Sequence, residues 1–168
     1  MAAATPALLE AAEFGLVRSG TLAARSTVGG KPQRHGRGHG EGERVLLEQQ
    51  LTHQIIGAAI EVHRAIGPGL LESAYEHALC HELALRQVTF ERQVDLSLFY
   101  KDAPVSGGYR VDLIVAGVVL VELKAVAELL PIHEAQLLTY LRISAIRVGL
   151  LLNFNVAMMR QGIVRRVL

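Results

Sequence analysis

The stretch from residue 109 to residue 124 constrains this chain most. Tyr109-Arg110-Val111-Asp112-Leu113-Ile114-Val115 and Val118-Val119-Leu120-Val121-Glu122-Leu123-Lys124 are two apolar, β-branched segments joined across Ala116-Gly117. Such segments read as strands of a well-covered sheet. Each is interrupted by charge, Asp112 in the first and Glu122 with Lys124 in the second. A charge inside a covered strand is costly unless it is paired or holds a metal. With the hairpin centred on Gly117, Asp112 faces Glu122 and Arg110 faces Lys124. A tight two-residue loop would instead put Asp112 and Glu122 on opposite faces, so a shared site requires an odd-numbered loop. Glu122 and Lys124 share one face, while Val121 and Leu123 enter the other. Two adjacent carboxylates repel unless a cation lies between them, and hard oxygen donors with open positions suit Mg2+ or Mn2+. A lysine two residues on can orient or deprotonate a water and meet charge developing on a phosphate. The competing reading is a cross-strand Asp112–Lys124 ion pair on a solvated face, and the pattern alone leaves both open.

The rest of the chain must cover these strands. Its 168 residues make about one domain, and 51% apolar against 20% charged residues exclude a disordered or collagen-like chain. The net charge of +1 excludes a coat of positive charge. That total hides a division: the acids stop at Glu134, and Arg142, Arg147, Arg160, Arg165 and Arg166 follow. With no Trp and 5% aromatics, rows of stacking rings for single strands are not expected. The one cysteine, Cys80, excludes a disulfide framework or a cysteine zinc cage and fits a reducing cytoplasm. No apolar run approaches the roughly 18–20 residues of a membrane span. The first residues lack a basic region, and Glu10 and Glu13 interrupt any apolar one, so no secretory signal is expected.

The chain divides near residue 45. Residues 29–44, GGKPQRHGRGHGEGER, read as a flexible linker. Before it, Pro6 to Arg18 is either a short amphipathic helix or loosely ordered. Residues 1–44 are expected to be a flexible extension and 45–168 the folded domain. From Val45, Leu47, Leu51, Ile55, Ala58, Val62 and Ile66 recur at helical steps. Gly67-Pro68-Gly69 stops that helix. A second, Leu70 to about Gln87, turns Leu71, Ala74, Tyr75, Ala78, Leu79 and Leu83 inward. Phe90 to Tyr100 is a strand, Lys101-Asp102-Ala103-Pro104 a turn, and the charged hairpin follows. Pro131 opens a helix to about Arg142, Arg147 to Phe154 is a buried strand, and Gly162 to Val167 is a further one. A helix between the third and fourth strands implies a mixed sheet.

Asp112 followed by Glu122-Leu123-Lys124 resembles the bipartite signature of the PD-(D/E)xK nuclease superfamily, without the proline that usually precedes the aspartate. Gly69-Leu70-Leu71-Glu72-Ser73-Ala74-Tyr75 is similar to the motif that names the GxxExxY protein family. The runs Val62–Glu72, Val121–Ala125 and His133–Leu141 look like the same family, so the resemblance covers roughly residues 45–168. It implies an α/β, restriction-endonuclease-like core: a central mixed β-sheet flanked by helices, with the active centre on the hairpin. It further implies that Asp112, Glu122 and the Leu123 carbonyl are metal ligands, that Lys124 is the catalytic lysine, and that Glu72 adds a carboxylate. Gln136 and Tyr140 resemble the glutamine-tyrosine motif of recombination-type exonucleases.

Each supporting residue also has a local explanation. With Gly69 as cap, Glu72 is the third helical residue and favours the helix dipole. Tyr75 is read as a packed tyrosine with its hydroxyl toward the site. His133, Gln136 and Tyr140 form one helical stripe, which is either solvated or turned to the site. His77 and His81, spaced for zinc, lack a third ligand and read as half-exposed helix histidines. His63 suits capping or packing at least as well as catalysis, and Cys80 reads as core. The function expected is a Mg2+- or Mn2+-dependent phosphodiester hydrolase acting on nucleic acid, DNA first, with Arg110, Arg142 and Arg147 as phosphate contacts. The alternative is a non-catalytic nucleic-acid-binding or assembly module on the same scaffold. Cutting both strands with a small domain usually takes two copies, which makes a homodimer the assembly to look for. No GxGxxG or Walker sequence points to a nucleotide cofactor.

Overall fold

The computed structural model describes residues 21–22 and 39–168. The segment from Pro6 to Arg18 and most of the Gly-rich linker lie outside the described residues. In chain order the elements are β1 (Thr21–Leu22), α1 (His39–Ile66), α2 (Glu72–Leu85), β2 (Phe90–Tyr100), β3 (Ala103–Val115), β4 (Val119–Lys124), α3 (Pro131–Ser144), β5 (Val148–Asn153) and β6 (Ile163–Val167), with a 3-10 turn at Met159–Gly162 before the last strand. The six strands form one sheet in sequence order. β4 and β5 run parallel, as do β1 and β2, and the other pairs are antiparallel. The sheet is mixed, and α3 is the crossover that parallel β4 and β5 require.

Alternation along the central strands builds two cores. Leu113, Val115, Val119, Val121, Leu123, Leu150 and Leu152 face α1 and α2, meeting Ile55, Ala58, Ala59, Val62, Tyr75, Leu79 and Leu83. Ile114, Leu120 and Leu151 face α3, meeting Leu137, Tyr140 and Leu141. Every residue of β5 is buried, as a strand covered on both faces requires. This is the α/β fold class expected: a central mixed sheet flanked by helices.

Several boundaries differ from the sequence expectation. α1 begins at His39, so the end of the Gly-rich segment is helical. Its first turns have no core to read: Leu46 and Leu47 are exposed, and Glu41–Arg147 and Arg44–Glu48 ion pairs accompany them instead. Between the hairpin strands β2 and β3, the reversal is only Lys101–Asp102, both left-handed, and Pro104 pairs with Phe99 inside the ladder. Proline is tolerated there because β4 pairs only with the far end of β3, from Leu113 onward. α2 starts later than expected, with Leu71 as N-cap and 78% exposed.

Candidate active site

The β3–β4 hairpin turns through Ala116 and Gly117, both with positive φ, and Val118 N–H closes the turn on the Val115 carbonyl at 3.0 Å. Val115 pairs with Val119 and Leu113 with Val121. Three residues separate the paired ends, so the loop is odd-numbered and Asp112 and Glu122 fall on the next rung. The backbone ladder stops there. Asp112 Oδ2 instead accepts the Leu123 N–H at 2.8 Å, a bond its own backbone would otherwise supply through Val111. The carboxylate is wedged where the two strands part.

Glu122 is 3% exposed, and Lys124 Nζ donates to its Oε2 at 3.3 Å and to the Leu123 carbonyl at 3.0 Å. Glu122 Oε1 is buried with no hydrogen-bond partner. Burial, and then the Asp112 charge, push the Glu122 carboxyl up to about 8, against the pull of Lys124. Glu72 approaches from α2 and accepts a hydrogen bond from the Ala125 backbone. Its carboxyl is raised by burial first; Lys124 opposes this, while Asp112 and Glu76 add to it. Asp112, Glu122, Lys124 and Glu72 therefore share one electrostatic neighbourhood. The cross-strand Asp112–Lys124 pair is not formed; Lys124 bonds to Glu122 instead.

A family model of the PD-(D/E)XK nuclease superfamily matches residues 49–167. The chain belongs to that superfamily. No curated protein and no solved structure gives a match.

Within this PD-(D/E)XK chain the other expected residues scatter. Gln136 donates to the Tyr140 hydroxyl at 2.8 Å on α3. His133 leaves the stripe: its Nδ1 accepts the Leu130 N–H at 3.1 Å and caps the helix. Tyr75 does not turn its hydroxyl to the carboxylates. It donates to the Gly67 carbonyl at 2.7 Å and accepts the Leu70 N–H at 3.0 Å, closing the Gly-Pro-Gly turn. Glu72 is the first helical residue, not the third, and makes no capping box. His77 bonds back to the Ser73 carbonyl, as a helix histidine does, and His63 Nε2 ties α1 to the Val156 carbonyl at 2.8 Å.

The three arginines fare differently. Arg110 pairs with Asp95 across β2–β3 at 2.8 Å, not with the rung of Lys124. Lys124 aligns with Asn153 at one end of the parallel β4–β5 pair, and Val119 with Val148 at the other. Arg147, four residues before the Leu151 that pairs with Glu122, therefore lies toward the opposite end of the sheet, about 13 Å from the carboxylate rung at roughly 3.3 Å per residue. Arg142 is in the last turn of α3, which runs away from the site. A helix that leads to a parallel strand carries its C-terminus to that strand's start. Arg160, in the turn after β5, occupies the site's end of the sheet instead.

Sequence reasoning missed two supports. Asn153, 1% exposed, accepts the Val126 N–H at 3.1 Å and donates to the Val126 carbonyl at 2.8 Å, fixing the chain just after Lys124. Glu76, one turn after Glu72, holds Arg92 at 2.8 Å and Gln93 at 2.8 Å. A buried Asn ending an apolar strand was the one available signal for the first; nothing marks the second.

Proposed function

We propose that this chain is a metal-dependent phosphodiester hydrolase acting on nucleic acid, with DNA as the first substrate to test. One observation carries the reading: Glu122 keeps a buried oxygen with no partner beside a second carboxylate. Such an arrangement is costly for a fold and apt for a divalent cation. Among the described residues no group of three His, Cys, Asp or Glu side chains forms a metal cluster. The fitting donors are instead two carboxylates, Asp112 and Glu122, with the Leu123 carbonyl, while Glu72 adds its charge to the neighbourhood from α2 without completing a three-residue cluster. This hard oxygen set suits Mg2+ or Mn2+ and leaves positions open.

A bound divalent ion would supply Lewis-acid polarisation of the scissile phosphate and lower the pKa of a water. Asp112, anchored by Leu123 N–H, sets the ligand geometry. Lys124 Nζ, held between Glu122 Oε2 and the Leu123 carbonyl, orients the attacking water and meets charge on the phosphate oxygens. Gln136 and Tyr140 act as a linked pair flanking this region. Residues 49–167 hold the machinery, while two parts of the stretch before residue 45 join the same fold, Thr21–Leu22 as a strand beside β2 and the start of α1 from His39. We also infer GxxExxY membership, supported by Tyr75 closing the turn that delivers Glu72. A homodimer, for two-strand cutting, and a cytoplasmic setting, for the lone buried Cys80, complete the reading. Among the described residues no helix is long and apolar enough to cross a membrane.

The test is cleavage of plasmid and linear DNA by the purified chain with Mg2+ or Mn2+. Activity should require the metal and vanish in Asp112→Ala and in Lys124→Ala, both with wild-type circular dichroism. Cleavage unchanged by either substitution overturns the assignment.

A further inference from the structure

β2 and β3 keep one antiparallel register from Phe90–Val115 to Leu96–Tyr109, and within it Gln93 lies across from Asp112. Gln93 has φ +49, a left-handed backbone in the middle of a strand. Its consequence is visible in the cores. Side chains two apart in a regular strand share a face, yet Phe90 packs with the α1/α2 core while Val94 and Leu96 pack with the α3 core. On β3, Leu113 and Val115 lie in the first core and Val111 in the second. Both strands change faces at the same rung, and that rung is Gln93–Asp112.

We propose that Gln93 is a positioning residue for the metal centre: its left-handed backbone turns the hairpin over at this rung, and its amide holds the Asp112 carboxylate in the ligating orientation. The inference rests on the reading of Asp112 as a ligand. Gln93 Nε2 donates to Glu76 Oε2 at 2.8 Å and to Asp112 Oδ1 at 3.4 Å. Leu123 N–H already fixes Asp112 Oδ2, so the Gln93 amide sets the remaining rotation of the carboxylate. Glu76 is itself pinned by Arg92 Nε at 2.9 Å. Orientation thus passes from α2 through Glu76 and Gln93 to Asp112. A left-handed glutamine is strained, and such strain persists where the surroundings over-determine it, as they do at functional sites. Glycine or asparagine would take this backbone at lower cost. The exposed Gln93 side chain buries little, so what the glutamine contributes over glycine is its amide.

The test is calorimetric titration of the full chain with Mn2+, with urea midpoints on the same samples. Gln93→Gly keeps the backbone and removes the amide. It should weaken Mn2+ binding about tenfold, as loss of a partner behind a metal ligand does, while the midpoint holds or rises. Gln93→Asn, one methylene too short for both carboxylates, should not rescue the affinity. Asp112→Asn sets the baseline and should abolish binding. Affinity within twofold of wild type in Gln93→Gly, with binding lost in Asp112→Asn, overturns the positioning role alone. A parallel fall of affinity and midpoint makes Gln93 merely structural and also overturns it. Wild-type protein that binds no Mn2+, or Asp112→Asn that binds normally, overturns the metal centre and this inference with it.

Discussion

Replacing Glu122 by glutamine should stabilise the metal-free protein, by an amount that depends on pH. Burial and then Asp112 raise this carboxyl from its ordinary 4.5 to about 8 in the folded chain. The folded state therefore holds the proton more tightly than the unfolded state. The resulting stability is complete below about pH 4.5, declines as pH rises, and is gone above about 8. At about 1.4 kcal/mol per pKa unit the whole window is worth roughly 5 kcal/mol, of which about 3 kcal/mol has been lost by pH 7. Glutamine is neutral throughout and keeps the shape, and the opposing pull of Lys124 is already contained in the value of about 8. A net gain of about 3 kcal/mol at pH 7, shrinking toward zero at pH 4.5, is expected. Urea unfolding of both proteins in EDTA from pH 4.5 to 8.5 measures it. Added Mn2+ at a hundredfold over its Kd should then stabilise wild type by about 2.7 kcal/mol and leave Glu122→Gln unmoved, closing the gap. An offset that is constant across pH, or equal stabilisation of both proteins by Mn2+, would refute the reasoning.

Two further substitutions probe the scaffold around the site. Tyr75→Phe keeps the ring stacked on Phe154 at 4.6 Å but orphans the Gly67 carbonyl and the Leu70 N–H; it should cost about 2–3 kcal/mol in chemical denaturation. Gly162→Ala would put a Cβ 2.0 Å from the Asn153 carbonyl oxygen. It should cost at least about 1–3 kcal/mol and lower nuclease activity by displacing the strand end that holds the segment after Lys124.

Local periodicity made the order of elements from α1 onward legible, because it depends on neighbours in the chain. The hairpin register was not: Gly117 allowed two loops, and only the requirement that Asp112 and Glu122 share a site selected the odd-numbered one. What stayed hidden depends on where elements end in space. Arg142 and Arg147 follow the motif closely in sequence, yet α3 carries them to the far end of the sheet. Gln93 looks like an ordinary polar strand residue, because a left-handed φ leaves no mark in composition. Tyr75 carried a motif whose hydroxyl could have served the site. Only the structure shows that this hydroxyl is spent on the Gly67 carbonyl and the Leu70 N–H, closing the turn before Glu72.

The carboxylates sit where the hairpin ladder fails, and that location has a physical reason. A strand fully paired on both sides offers its side chains to a packed core, where two carboxylates cannot ionise together. Here β3 pairs with β4 only through Leu113–Val121, so at the next rung Asp112 is only half-buried while Glu122 beside it stays buried. Asp112 offsets the lost backbone bond by taking the Leu123 N–H, which also sets the carboxylate beside Glu122. The residue that ends the ladder is thus the residue offered as a ligand. Ending it elsewhere, by lengthening the β3–β4 pairing one rung, would return the Leu123 N–H to the Val111 carbonyl and release Asp112 from its anchor. Fold and site are coupled through that single hydrogen bond.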